Sequence, residues 1–244
     1  TVFFETAMGE GIKERFRLEG ELRTAIGSNQ LRLYLQPQVN AAGRQVGAEA
    51  LVRWQHPERG LIPPDQFIPL AEATGLITAL DRWVLAAVCR LLADLENEGA
   101  ALSISVNISP RHFRQADFAE NIKHLLANHD ANPAHLILEV TEGLMIADMN
   151  DVVAKMTELT GLGVHFSMDD FGTGYSSLAY LKRLPIHELK IDKSFIQDAT
   201  VDPSDAALVE VILSVAQHLN LRVVAEGVET QVQADFLNAR GPII

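Results

Sequence analysis

A single cysteine, Cys89, stands in a chain of 244 residues, so no internal disulfide can form. It lies within an apolar helical pattern and reads as a core residue. Such sparing use of cysteine fits a reducing compartment, and the expectation is a cytoplasmic domain, with a membrane tether elsewhere in the full-length protein left open. Long apolar runs are missing too: no stretch approaches the roughly 20 residues that cross a bilayer, and no signal-peptide pattern opens the chain. Positive charge is scarce. Twenty Lys and Arg face 32 Asp and Glu, for a formal net charge of −12. That argues against DNA or RNA as partner, because nucleic-acid binders present a basic patch. A small phosphate ligand stays allowed, since metal ions in an acidic pocket invert the local sign of charge. The histidines do not cluster, so no zinc site is expected. Gly172-Thr-Gly174 is followed by Ser177 where a dinucleotide fingerprint needs glycine, and no Gly-Lys-Ser/Thr phosphate loop occurs. The two tryptophans, Trp54 and Trp83, read as core rather than as stacking platforms.

What the chain does have is alternation. Strand periodicity marks residues 31–39 and 46–54, followed by apolar segments at 103–108, 136–141, 164–168, 189–191 and 222–225. Between and after them, helical patterns cover residues 80–98, 118–128, 152–162, 177–181, 206–219 and 231–237, and Pro63-Pro64-Asp65 opens another helix through Ala73. Short strands alternating with amphipathic helices give a parallel α/β fold, close to a TIM-like (β/α)8 barrel. The link Asn40-Ala-Ala-Gly-Arg is too short for a helical crossover, so the first strand pairs antiparallel with the second. Residues 1–23 read as a helix, either a connector or a simple cap, and residues 24–244 as the domain itself.

Polar residues fall at strand ends. Glu49 lies late in the second strand, Asn107 ends the third, and Glu139 ends the fourth with Glu142 just beyond. Asp169 and Asp170 end the fifth, Lys190 and Asp192 bracket the end of the sixth, and Glu226 and Glu229 follow the seventh. One such acid is usually a helix cap, and a double Asp can be no more than a turn. Polar groups at six strand ends are hard to explain as caps. In a barrel these ends converge on one mouth. Carboxylates and an amide there make an oxygen cage for a divalent cation such as Mg2+ or Mn2+. Two such ions, with Lys190 as the one fixed cation, could activate water against a phosphodiester.

These residues carry a resemblance. Glu49-Ala50-Leu51, within Ala-Glu-Ala-Leu-Val-Arg-Trp, resembles the signature of the EAL-domain family of cyclic di-GMP phosphodiesterases. Asn107-Ile-Ser, Glu139-Val-Thr-Glu142, Asp169-Asp170-Phe-Gly-Thr-Gly-Tyr-Ser-Ser-Leu, Lys190-Ile-Asp192 and Glu226-Gly-Val-Glu229 resemble its further motifs, in order. The resemblance spans about residues 24–240. It implies hydrolysis of cyclic di-GMP to linear pGpG with Mg2+ or Mn2+, two ions in all. Glu49, Asn107, Glu139 and Asp169 would hold the first ion, Asp170 would help hold the second, and Glu226 would be a further ligand or the base. Lys190, with Glu49 and Glu226, forms the implied catalytic set. Gln36, Leu51, Arg53 and Asp192 are the implied substrate contacts, and Glu142 braces the loop 171–177. That loop and its short helix imply a homodimer, and the N-terminal helix implies an upstream regulatory domain.

One departure concerns the end of the chain. The family's eighth strand carries a Gln-Gly motif and then a Pro, whereas here Gly241 is followed directly by Pro242-Ile-Ile; the expectation is that intervening residues are omitted. Two rivals remain beside the enzyme: a receptor that binds cyclic di-GMP without hydrolysis, and an unrelated metal-dependent barrel. The second would not account for Glu-Ala-Leu, Asn-Ile-Ser and Lys-Ile-Asp together.

Overall fold

The computed structural model describes residues 2–146, 148–172 and 178–244. One sheet runs through it in the order β1 (Leu31–Val39), β2 (Gln45–His56), β4 (Ser103–Asn107), β5 (Leu136–Thr141), β6 (His165–Phe171), β7 (Glu188–Ile191) and β8 (Arg222–Ala225). β1 and β2 pair antiparallel, and every later pair along this path is parallel. The TIM-like α/β barrel with a reversed first strand is therefore the fold. β3 (Gly60–Ile62) hairpins back onto the end of β2. At three residues it is too short to leave a periodic signal.

Helices fill the crossovers: α2 (Pro64–Thr74), α3 (Ile77–Asn97), α4 (Pro110–Phe113), α5 (Phe118–His129), α6 (Met149–Thr160), α7 (Leu178–Leu181), α8 (Lys193–Asp198), α9 (Pro203–Leu219) and α10 (Gln231–Asn238). α4 and α8, of four and six residues, were not legible in the sequence, being short helices set by local caps. Ser109 Oγ accepts from His112 N before α4, and Asp192 accepts from Ser194 N before α8. The longer helices bury one stripe each; α3 turns Leu80, Val84, Leu85, Val88, Cys89 and Leu92 to the barrel, as its apolar spacing requires. Cys89 is core, and burial pushes its thiol up to about 12.

α1 (Val2–Ile26) precedes the sheet. Its last turns are not a loose tail: Leu22 and Ala25 are fully buried, in an apolar cluster with Trp54, Phe67 and Leu80. Trp54 closes that cluster, edge-on to Phe67 at 5.9 Å, and its indole N–H reaches Gln30 Oε1 at 3.2 Å. At the other end of the sheet, Ile244 runs beside β8. Its N–H donates to Val223 O at 2.9 Å and its carbonyl accepts from Ala225 N at 2.8 Å.

Candidate active site

Side-chain alternation decides what faces the barrel interior. β2 carries Glu49 and Leu51 inward, β4 Asn107, β5 Glu139, β6 Asp169 and β7 Lys190, with Glu226 just past β8. The parallel registers Glu49↔Ser105, Asn107↔Glu139, Thr141↔Asp169 and Lys190↔Val224 hold these residues at one end of the barrel.

The side chains converge on the Lys190 ammonium. Its Nζ lies 2.5 Å from Glu226 Oε1, 2.8 Å from Glu139 Oε2, 3.2 Å from Asp169 Oδ1 and 3.4 Å from Glu49 Oε2. Asn107 Nδ2 donates to Glu49 Oε1 at 2.7 Å, fixing that carboxylate from the side. Lys190 and Glu139 are each 1% exposed, so the centre of the network is closed to bulk water, while Asn107 and Glu226 at its rim are open to it. Burial alone would lower the lysine pKa, yet Glu139, Asp169, Glu49 and Glu226 together outweigh it and hold the ammonium well above its ordinary range. Glu139 feels the reverse. Burial pushes its carboxyl up to about 8, with Glu49 and Asp169 adding to the rise and Lys190 opposing it. Burial also raises Glu226, again against the pull of Lys190.

Asp170 sits beside this network on an unusual backbone. β6 bulges between Met168 and Phe171, and Asp170 takes φ 53° there, a left-handed conformation that non-glycine residues seldom adopt. The bulge is why the strand runs on to Phe171, beyond the sequence estimate of 168. Burial raises the Asp170 carboxyl, and Asp169 and Asp192 raise it further. Asp192 itself caps α8: burial pushes its carboxyl up, but bonds from Ser194 and the Lys193 backbone outweigh that and leave it lowered. Glu142 accepts from Gly172 N at 2.9 Å, at the entrance of the segment it was expected to brace. Gly172 has φ 99°, and a Cβ there would lie 3.2 Å from the Phe195 ring. Residues 173–177, which with the short helix after them carry the dimer expectation, lie outside the described residues.

A cavity of about 800 Å³ opens beside the network, lined among others by Gln36, Glu49, Leu51, Lys190, Lys193 and Glu226. Lys193 was not singled out from the sequence; a second lysine just after Lys-Ile-Asp was the available signal. Tyr34 was missed as well. The β1–β2 register pairs Gln36 with Glu49, Tyr34 with Leu51 and Arg32 with Arg53, so all six share the face that carries Glu49. Tyr34 is 49% exposed, and the Arg53 guanidinium stands 5.7 Å over its ring. Its alternation with Leu33 and Leu35 was read as strand periodicity alone.

Among the described residues, no three acids or imidazoles stand open at metal-ligand spacing, because Lys190 takes the centre. The donor set nevertheless fits a hard cation. Four carboxylates face one ammonium, every further donor is oxygen, and this excess of negative charge is what Mg2+ or Mn2+ binds.

The chain belongs to the EAL domain family, whose model matches residues 19–243. Among its relatives is the bifunctional diguanylate cyclase/cyclic di-GMP phosphodiesterase MucR of Pseudomonas aeruginosa, 46% identical over 241 residues, covering 98% of this chain and 35% of that protein. The cyclic di-GMP phosphodiesterase NbdA of the same organism is 43% identical over 237 residues, covering 96% of this chain and 30% of its own length. The chain thus spans about a third of the curated relatives it matches. The solved PaMucR phosphodiesterase, in complex with c-di-GMP, aligns with a TM-score of 0.89 at 45% identity, covering 93% of this chain and 94% of that one.

Proposed function

We propose that this domain hydrolyses cyclic di-GMP to linear pGpG. The observation that carries the reading is the convergence of Glu49, Glu139, Asp169 and Glu226 on Lys190 at the cavity wall. The kinship with MucR and NbdA, and the c-di-GMP complex of PaMucR, support the substrate.

Glu49, Asn107, Glu139 and Asp169, with Asp170 and Glu226, would hold Mg2+ or Mn2+, two ions on this reading. Bound there, the ions supply positive charge to the phosphate and lower the pKa of water. The rest is assigned to the chain's own groups. Arg53 meets the two non-bridging oxygens of a phosphate bidentately. Gln36 and Leu51 hold the guanine side of the ligand against the β1–β2 wall. Lys190 orients the attacking water, and Glu226 or Glu49 accepts its proton. The new O–P bond forms as the P–O3′ bond breaks, and the 3′ oxygen leaves with a proton, which gives a 5′-phosphate end. Asp192 serves a binding role through the α8 turn that it caps. α1 connects the domain to a regulatory region of a longer protein, a reading supported by the greater length of the relatives. A homodimer completes the proposal.

A second reading, a receptor that binds without hydrolysis, draws on the same network, because Lys190 already neutralises part of the acid cage. Incubation with cyclic di-GMP and Mg2+ or Mn2+, with a chelator control and nucleotide chromatography, separates the two. Metal-dependent pGpG supports the enzyme. Tight binding without product supports the receptor, and neither would overturn both.

A further inference from the structure

The barrel interior stays polar below this network. Alternate strands of such a barrel contribute side chains to one layer. Two residues before Asn107, Asp169 and Glu226 stand Ser105, Ser167 and Val224; two before Glu49, Glu139 and Lys190 stand Gly47, Ile137 and Glu188. The layers directly beneath the cage thus hold two hydroxyls and a carboxylate where a barrel core ordinarily packs branched aliphatics.

Ser105, Ser167 and Glu188 are each fully buried. Both hydroxyls, and both carboxylate oxygens of Glu188, lack a hydrogen-bond partner among the described residues. Ser167 stands near enough to favour the ionised form of Glu188, yet the pair does not reach hydrogen-bond geometry. Arg222, from the next strand, stops at 3.7 Å from Glu188 Oε2. At Gly47 the place of a side chain is taken by Gln38 Oε1, 2.7 Å from where a Cβ would stand.

Buried polar groups that no protein atom reaches are met by internal water, which bonds to about three of them at once. The unmet set here mixes donors and acceptors. Water satisfies both kinds, whereas a cation would satisfy lone pairs alone. Directly above the layer, Glu139 Oε1 is buried and likewise without a partner.

We propose that ordered water occupies this layer, bound by Ser105, Ser167 and Glu188, and that it hydrogen-bonds Glu139 Oε1 from below. The three residues are then positioning groups for Glu139. Carboxylates that bind metal are held by such outer contacts, and loss of one typically weakens metal binding 10–100-fold. The water site stands on geometry alone; the positioning role rests on the phosphodiesterase reading.

Two measurements test it. A crystal structure fine enough to show ordered water should place density within hydrogen-bond reach of Ser105 Oγ, Ser167 Oγ and Glu188. A dry or closed layer overturns the site. Separately, Mn2+ titration followed by electron paramagnetic resonance should show Ser167→Ala weakening binding about 10–100-fold, with kcat falling and KM for cyclic di-GMP held. Ser167→Thr, which restores the hydroxyl, should recover both. Wild-type Mn2+ affinity and kcat in Ser167→Ala overturn the positioning role. A wild-type protein that neither binds Mn2+ nor turns over overturns the phosphodiesterase reading and the positioning role together, while the crystallographic result still decides the water site.

Discussion

The Lys190 ammonium lies 2.8 Å from the Glu139 carboxylate, and both groups are 1% exposed. The ammonium is the counter-charge for Glu139 and also for Asp169, Glu49 and Glu226. Removing one partner of a buried pair leaves the other uncompensated, at a cost of about 3–5 kcal/mol. Lys190→Met should therefore lower metal-free stability by roughly that amount, read from denaturant unfolding. It should also cut turnover of cyclic di-GMP by at least about 100-fold, as expected for a group that orients the attacking water. Turnover within a few-fold of wild type would remove Lys190 from the mechanism.

Tyr34 offers an exposed ring beside Leu51, with Arg53 over it. Stacking of a base on an aromatic side chain contributes about 1–3 kcal/mol. Tyr34→Ala should raise KM for cyclic di-GMP roughly tenfold with kcat little changed, and Tyr34→Phe should behave as wild type. Equal KM values for all three proteins would show that the ring faces solvent only.

Cys89 tests the core. Its buried thiol is pushed up to about 12, against an ordinary 9.0. A thiol reagent at mildly alkaline pH should react slowly with the native protein and rapidly in denaturant. The sign of the linkage follows: an unfolded thiol ionises above about pH 9 while the folded one does not, so stability falls as pH rises past that value. Fast native labelling would contradict the packing of α3.

His165 and His187 stack face to face at 4.3 Å at the lower end of β6 and β7. Burial lowers both pKa values first, Arg222 lowers each further, and His135 and the partner ring add to this for His165 and His187 respectively. Folding thus disfavours the charged form of both imidazoles. Their stability contribution is complete above the ordinary value of 6.5 and is lost as pH falls below it. The melting temperature should drop on acidification from neutral pH, and His187→Gln should flatten that drop. An unchanged slope would assign the acid sensitivity elsewhere.

The inward alternation and chain order of Glu49, Asn107, Glu139, Asp169, Lys190 and Glu226 were legible because a sequence displays both directly, but Glu49, expected late in β2, lies in its first half, since β2 runs on to His56 to pair with β3. The antiparallel first pair was legible from loop length alone. What escaped was whatever one or two hydrogen bonds decide. α4 and α8 depend on single caps, and the bulge at Asp170 on one left-handed backbone angle. The closure of the carboxylates around Lys190, rather than around an open centre, is a property of side-chain rotamers and charge balance that spacing does not encode. The floor of Ser105, Ser167 and Glu188 was overlooked for another reason. Two serines within β4 and β6 and a glutamate opening β7 look like ordinary strand polarity until the strands are curled and their inward faces meet.

The burial of Leu22 and Ala25 in the same apolar cluster as Trp54 has a mechanical side. Trp54 belongs to β2, the strand that carries Glu49. The end of α1 and the strand that holds that carboxylate are therefore built into one apolar core, so loss of packing at Leu22 or Ala25 is felt by β2 itself.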